Sequence, residues 1–234
     1  MATTPQSIDS PVLVDVQSLY KSFKRENNTI NALSCIDIQL APACFHAIAG
    51  PSGSGKSTLL NIIGMLDKPD QGSVALCGKD IDYHNDWELG QLRREKIGFV
   101  FQNFNLIPTL TALENVALPL FNTTLKASER MMRAKKCLHS VGLQERLHHF
   151  PRQLSGGQQQ RVAIARALVN NPALVLADEP SANLDSHTAM QIMDLMSQIR
   201  LQQKVGFLFS SHDSQILDRA LQVIYLKDGK VVTQ

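Results

Sequence analysis

The sequence predicts an α/β fold built on a mostly parallel sheet, with a helical subdomain inserted near the middle of the chain. Three observations carry this prediction. Short buried apolar runs alternate with helical segments, the pattern of a parallel sheet covered by helices. The run "CFHAIAG" passes straight into a glycine-rich loop and then into "KSTLLNIIGMLD", whose apolar residues recur at helical spacing. The stretch from Leu110 to Leu147 carries helical signals and no strand candidate.

In chain order, Ile36–Leu40 ("IDIQL") alternates apolar and polar residues as a half-buried strand does. Cys44–Gly50 is a buried strand ending in glycine, and Lys56–Asp67 is a helix. "KPDQG" is a turn, followed by a short strand in "SVALCG". "WELGQLRREK" is helical and feeds a strand in "IGFVFQ"; "TALENVALPL" and "ASERMMRAKKCLHSVGL" form the inserted helices. A helix over Gly157–Asn170 then precedes the strand "ALVLAD", a helix over Ser186–Gln203 and the strand "GFLFSS". A short helix and a last strand in "VIYLKDG" close the order, which contains no internal repeat or low-complexity segment. The expected division is a core over residues 12–102 and 159–234, a helical subdomain over 103–158 and a mobile tail over 1–11.

With 234 residues, 44% of them hydrophobic, the chain can bury a sizeable core. Its 23 basic against 21 acidic residues leave a formal net charge of +2, without the basic stripe that nucleic acid needs, so no nucleic-acid partner is expected. Cys35, Cys44, Cys77 and Cys137 show no C-x-x-C pairing and are expected to be reduced, mostly buried thiols of a cytosolic protein. The opening "MATTPQSIDSPVL" has no basic region followed by an apolar run, so no secretory signal is expected there. No apolar stretch approaches the ~20 residues that cross a bilayer. A role at a membrane would need something else to hold the chain there.

"GPSGSGKS", Gly50 to Ser57, satisfies G-x-x-x-x-G-K-[ST] and lies between a strand and a helix, the context a phosphate loop requires. Gly50, Gly53 and Gly55 let the backbone curl so that successive N–H groups converge on phosphate oxygens. The helix N-terminus adds partial positive charge. Lys56 would neutralise the β- and γ-phosphates, and the Ser57 hydroxyl would ligate Mg²⁺. Pro51, Ser52, Ser54 and Thr58 complete the expected ATP-binding stretch. A catalytic carboxylate should stand at the end of another buried strand, and "LVLADEP" supplies two. Asp178 would orient Mg²⁺, directly or through water. Glu179, one residue on, is expected to point to the other face of the strand end, as a general base for an attacking water.

At this point the chain resembles the nucleotide-binding subunit of ATP-binding cassette transporters. The resemblance runs from about Val12 to the C-terminus and rests on "GPSGSGKST", "VFQ", "LSGGQ", "LVLADEP", "NLD" and "SSHD" in the family's order. It implies a P-loop NTPase core with an N-terminal antiparallel β portion and an inserted helical subdomain. It also implies ATP and Mg²⁺ as cofactors, ATP hydrolysis, and two cassettes packed head to tail. Ser155, Gly156, Gly157 and Gln158 of one copy would close over ATP held by the phosphate loop of the other, and Asp185 would contact the opposite cassette. Gln102 takes the place that meets Mg²⁺ and the attacking water; His212 takes the place that contacts the γ-phosphate and orients the water at Glu179. The adenine-stacking aromatic falls at Phe23, ahead of the "INALSCIDIQL" strand, with Tyr20 as the alternative. Arg161 and Arg166 are expected to serve as structural ion-pair or subunit-contact residues.

"GFVFQNFNLIPTLTALENVALPL" and "ARALVNNPALVLADEPSANLD" resemble the branch serving lipoprotein release and macrolide export, together with the related cell-division cassette. That implies an ATPase on the cytoplasmic face of the inner membrane, bound to a separate transmembrane permease. Phe104, Leu106, Ile107 and Leu110 would contact that permease or belong to the subdomain core. Ser181 and the serine pair Ser210–Ser211 depart from the branch's commoner threonine and valine-threonine, and neither departure is expected to touch a chemical role. An importer ATPase, or a soluble cassette ATPase without a membrane partner, is the alternative.

Overall fold

In the computed structural model, which describes residues 12–25 and 28–232, the chain forms two sheets. The tail expected over residues 1–11 lies outside the described residues. Strands β1 (Val14–Arg25) and β2 (Asn28–Leu40) pair antiparallel and are followed by β3 (Phe45–Ala49). Helix α1 (Lys56–Ile63) leads to β4 (Gln71–Leu76) and β5 (Lys79–Asp80), which add to β1 in the order β2-β1-β4-β5. Strand β1 is not among the strands expected from the sequence, although Val14–Gln17 alternates apolar and polar residues. Its register shifts between Val16 and Leu19, Leu19 and Lys21, and Lys21 and Ser22, so the period-2 alternation is broken three times.

Helix α2 (Asp86–Lys96) feeds β6 (Ile97–Val100). Asn85 caps α2, whose first turn holds Asp86 and Glu88 and whose last holds Arg93, Arg94 and Lys96, each sign opposing the helix dipole. The helical stretch contains α3 (Ala112–Ala117), started by a Thr111–Glu114 capping box, and α4 (Ala127–Ser140), which buries Ala134 and Leu138. Next come α5 (Gly156–Leu168), β7 (Leu174–Ala177), α6 (Ser186–Gln203) and β8 (Gly206–Ser211). The short α7 (Ser214–Leu217) precedes β9 (Gln222–Lys227) and β10 (Lys230–Val232). The last two form a hairpin turned by Asp228 and Gly229 at φ 50° and 73°, positive at both centres as a tight hairpin requires.

The second sheet runs β10-β9-β3-β8-β7-β6, parallel throughout except for β10. It is the middle layer. Along β7, Val175 and Ala177 join the cluster under α3 to α6, while Leu174 and Leu176 join the cluster formed with α1 and the antiparallel sheet. Both faces are therefore apolar, which is why β3, β7 and β8 are buried at every residue. One expectation fails: none of the four cysteines is fully buried. Cys35 and Cys77 are exposed at positive φ where the antiparallel strands bend or turn, and Cys44 and Cys137 are half-buried; all four are free thiols.

Candidate nucleotide site

The loop between β3 and α1 is shaped by close backbone contacts. A Cβ on Gly50 would lie 2.1 Å from the Leu226 carbonyl oxygen, and one on Gly55, whose φ is 104°, 2.5 Å from the Ala32 oxygen. The Ser54 carbonyl accepts from the Gly229 N–H at 3.1 Å, so the β9–β10 turn braces the loop from behind. No side chain caps α1, so the N–H groups of its first turn are not taken up locally. Lys56 is buried. Its Nζ donates to the Gly50 and Pro51 carbonyls at 2.8 and 3.0 Å and lies 4.0 Å from the Glu179 carboxylate.

A cleft of ≈ 630 Å³ opens over this loop. Phe23, Pro51, Ser52, Gly53, Gly55, Lys56, Ser57 and Thr58 line it, with Gln102, Asp178, Glu179 and His212 facing them. Ser54 is buried beneath the loop. The parallel topology explains the convergence, since β3, β6, β7 and β8 all end on this side of the sheet. The carboxylates correct one expectation. Strict strand alternation would send Glu179 to the face opposite Asp178, but Glu179 has φ 45°, outside the β region, and both side chains line the same cleft. The His212 ring Nδ1 sits 3.1 Å from Glu179 Oε1.

Ser210 corrects a second expectation. Its hydroxyl, fully buried, donates to Asp178 Oδ1 at 2.7 Å and accepts from the Glu179 N–H at 2.9 Å. It touches both acidic residues. The only sequence signal was a polar residue at the end of the apolar run "GFLF". Ile30, Asn31, Ala32 and Ala182 also line the cleft without having been singled out.

The other residues singled out in the sequence stand outside this cleft. Ser155 caps α5, accepting from Gln158 N–H at 3.3 Å while Gln158 Oε1 accepts from Ser155 N–H at 3.0 Å; Ser155 to Gln158 do not line the cleft. A Cβ on Gly157 would meet Thr188 Cγ2 at 2.5 Å, so this glycine also serves the packing of α5 on α6. Asp185 caps α6, accepting from Thr188 N–H at 2.9 Å; hydrogen bonding from the Thr188 side chain, and then from this N–H, holds its carboxyl below the usual range. Tyr20 does not line the cleft. Arg161 and Arg166 form no ion pair among the described residues. Arg161 donates to the Val141 carbonyl, and Arg166, its pKa lowered by burial, donates to those of Phe104 and Asn105. Leu106 packs against the core cluster, whereas Ile107 is exposed.

A family model described as "ABC transporter" matches residues 33–182. The chain belongs to this family. The ABC chain is 47% identical over 223 residues to the ABC transporter ATP-binding protein MJ0796 of Methanocaldococcus jannaschii, covering 94% of this chain and 95% of that one. A solved dimer of the MJ0796 cassette, in a post-hydrolysis state bound to ADP and Pi, superposes with a TM-score of 0.86 at 46% identity, over 94% and 97% of the two chains. The lipoprotein-releasing system ATP-binding protein LolD of Pseudomonas fluorescens is 44% identical over 220 residues, 94% of this chain and 97% of LolD. The macrolide export ATP-binding/permease protein MacB of Wolinella succinogenes is 44% identical over 219 residues, 94% of this chain and 34% of the longer MacB. The ABC chain is thus a P-loop NTPase, the ATP-binding and ATP-hydrolysing subunit of a transporter.

Proposed function

We propose that two copies of this cassette close head to tail on ATP and power a separate transmembrane permease of the lipoprotein-release or macrolide-export kind. One observation carries the reading: the phosphate loop and both carboxylates meet in one cleft that the chain's own Ser155–Gln158 segment does not line. A second copy would bring that segment. Ser155, Gly156, Gly157 and Gln158, with Asp185, would then cover the nucleotide, the α5 N-terminus facing its γ-phosphate.

Within each cleft, Phe23 stacks on the adenine and the loop amides with Lys56 hold the phosphates. Glu179 accepts the proton of the attacking water, and the His212 Nδ1 keeps its carboxylate in place. Phosphoryl transfer asks little covalent chemistry of the protein, so positioning and charge do most of the work. The donors present fit Mg²⁺: the Ser57 hydroxyl, the Gln102 amide oxygen and the Asp178 carboxylate are hard oxygen ligands around one cleft. Among the described residues no three His, Cys, Asp or Glu side chains gather into a metal-holding group, which suits an ion held largely by phosphate and water. When bound, the ion would neutralise charge developing on the transferred phosphoryl group.

Residues 103–158 form the helical arm of this reading, with 12–102 and 159–234 as its core. No helix among the described residues is long and apolar enough to cross a membrane. We assign attachment to a groove of ≈ 490 Å³ between α2, the free edge of β6 and the segment after α3, where Leu66, Phe99, Phe101 and Leu118 are flanked by Arg93 and Arg94. It suits an amphipathic cytoplasmic segment of the permease carrying an acidic residue, which would hold the cassette on the cytoplasmic face of the membrane. The test is a pull-down of tagged Glu179→Gln with ATP from detergent-solubilised native membranes. Recovery of one multi-span membrane protein is expected. Recovery of soluble partners alone, with the complex proven intact, would favour a soluble cassette ATPase.

A further inference from the structure

We propose that a basic groove beside α4 docks on anionic phospholipid, so that the cassette touches the membrane surface as well as its permease. The groove, of ≈ 760 Å³, lies between α4, the loop before β7 and the end of α6. Met132, Pro172 and Val205 line it with the half-buried Cys137, and Arg133 and Lys136 stand among them. No acidic side chain lines it among the described residues. Burial pushes the Cys137 thiol up although both cations pull it down, so apolar wall and positive charge share one space.

Charge is concentrated here. The whole chain has 23 basic against 21 acidic residues, whereas α4 sets Arg130, Arg133, Lys135 and Lys136 against Glu129 alone. Arg133, Lys135 and Lys136 form no ion pair among the described residues. Met131 and Met132 are exposed on the same helix. Exposed apolar side chains beside unpaired cations suit the headgroup region of a bilayer. The place of the groove selects lipid among anionic partners. Asn170 lines the groove assigned above to the permease, and Asn171 and Pro172 line this one, so the two adjoin across one loop. The Arg130 guanidinium lies 4.8 Å from the ring centroid of the exposed Phe121, in the segment after α3 that borders the permease groove. A cassette seated on the permease therefore brings α4 close to the bilayer that holds the permease, and the cytoplasmic leaflet attracts basic segments. The proposal rests on that attachment for its orientation alone. Two contacts on one body would hold the cassette more firmly than either by itself.

The test is co-sedimentation of the full chain, without permease, with phosphatidylcholine vesicles and with vesicles of equal parts phosphatidylcholine and phosphatidylglycerol. Binding to the anionic vesicles at low salt, lost at high salt, is expected, with none to the neutral ones. Arg133→Ala combined with Lys136→Ala should weaken partitioning about 30-fold, near fivefold for each basic residue at an anionic surface. Lys227→Ala combined with Lys230→Ala removes the same charge from the β9–β10 hairpin and should change partitioning less than about twofold. Both double variants should keep the ATPase activity of the free cassette, since none of these residues lines the nucleotide cleft. No binding to anionic vesicles at low salt, equal binding to both kinds of vesicle, or equal losses in the two double variants would overturn the proposal. If vesicles fail to bind while the Glu179→Gln pull-down recovers the permease, only the lipid contact falls. If Arg133→Ala with Lys136→Ala then also releases the permease, the groove belongs to an acidic permease segment instead. If vesicles bind and the pull-down recovers no membrane protein, the lipid contact stands and the permease reading falls.

Discussion

The chemistry at the residue scale depends on a few side chains whose neighbours restrict them. Glu179 is the clearest, with its carboxylate 16% exposed, His212 on one oxygen and Lys56 at 4.0 Å. Glu179→Gln preserves this shape and removes the basic oxygen. It should still bind ATP, trap the ATP-bound dimer on gel filtration, and lose at least about 100-fold in turnover, the usual share of a general base. Turnover at the wild-type rate would refute the assignment of Glu179 as the base. Phe23 makes a second test. It is 43% exposed, lines the cleft and has the Lys21 ammonium 5.0 Å from its ring centroid, whereas Tyr20 lies outside the cleft. Phe23→Ala should raise the KM for ATP about 3- to 10-fold, the worth of one stacking contact. Tyr20→Ala should leave KM within about twofold, and the reverse pattern would exchange the two residues.

The signature segment at the element scale has two duties that mutation can separate. Its glycines permit close approach by a nucleotide, and Gly157 also lets α5 pack on α6 at Thr188. Gly157→Ala should therefore destabilise the isolated chain, by about 1–3 kcal/mol if the contact behaves as an overpacked one. Adding Thr188→Ser removes the methyl group that the new Cβ strikes and should restore the thermal midpoint. ATP-driven dimerisation should stay impaired in the double variant. Dimerisation that returned along with stability would assign Gly157 to packing alone.

At the scale of the whole molecule, stability depends on a sheet buried on both faces, and His46 of β3 is one of its few buried polar residues. The ring is 2% exposed, with Nε2 3.1 Å from the Ala41 carbonyl, and burial lowers its pKa despite that carbonyl. The unfolded chain therefore binds this proton more readily than the folded one. The histidine exacts nothing above its ordinary value of 6.5, and stability is lost as the pH falls below it. Urea midpoints between pH 7 and pH 5 should fall more steeply for wild type than for His46→Leu. Parallel slopes would show that another group carries the acid sensitivity.

The sequence by itself determined the parallel α/β core, the phosphate loop and the two carboxylates. Each is written locally, in an apolar run that must be buried, a glycine where a side chain would collide, or an acidic pair where such a run ends. The antiparallel sheet is poorly written, because three register shifts in β1 remove the alternation that identifies a strand. Only the tertiary structure decided the rest. It turned Glu179 into the cleft beside Asp178 through a positive φ that no neighbouring residue announces. It joined Ser210 to both across the β7–β8 pairing, a contact between residues 32 and 31 positions apart. It also set the signature segment outside the chain's own cleft. Local residues specify which group can perform a step; distance and direction depend on which strands lie side by side, and burial of the whole chain decides that.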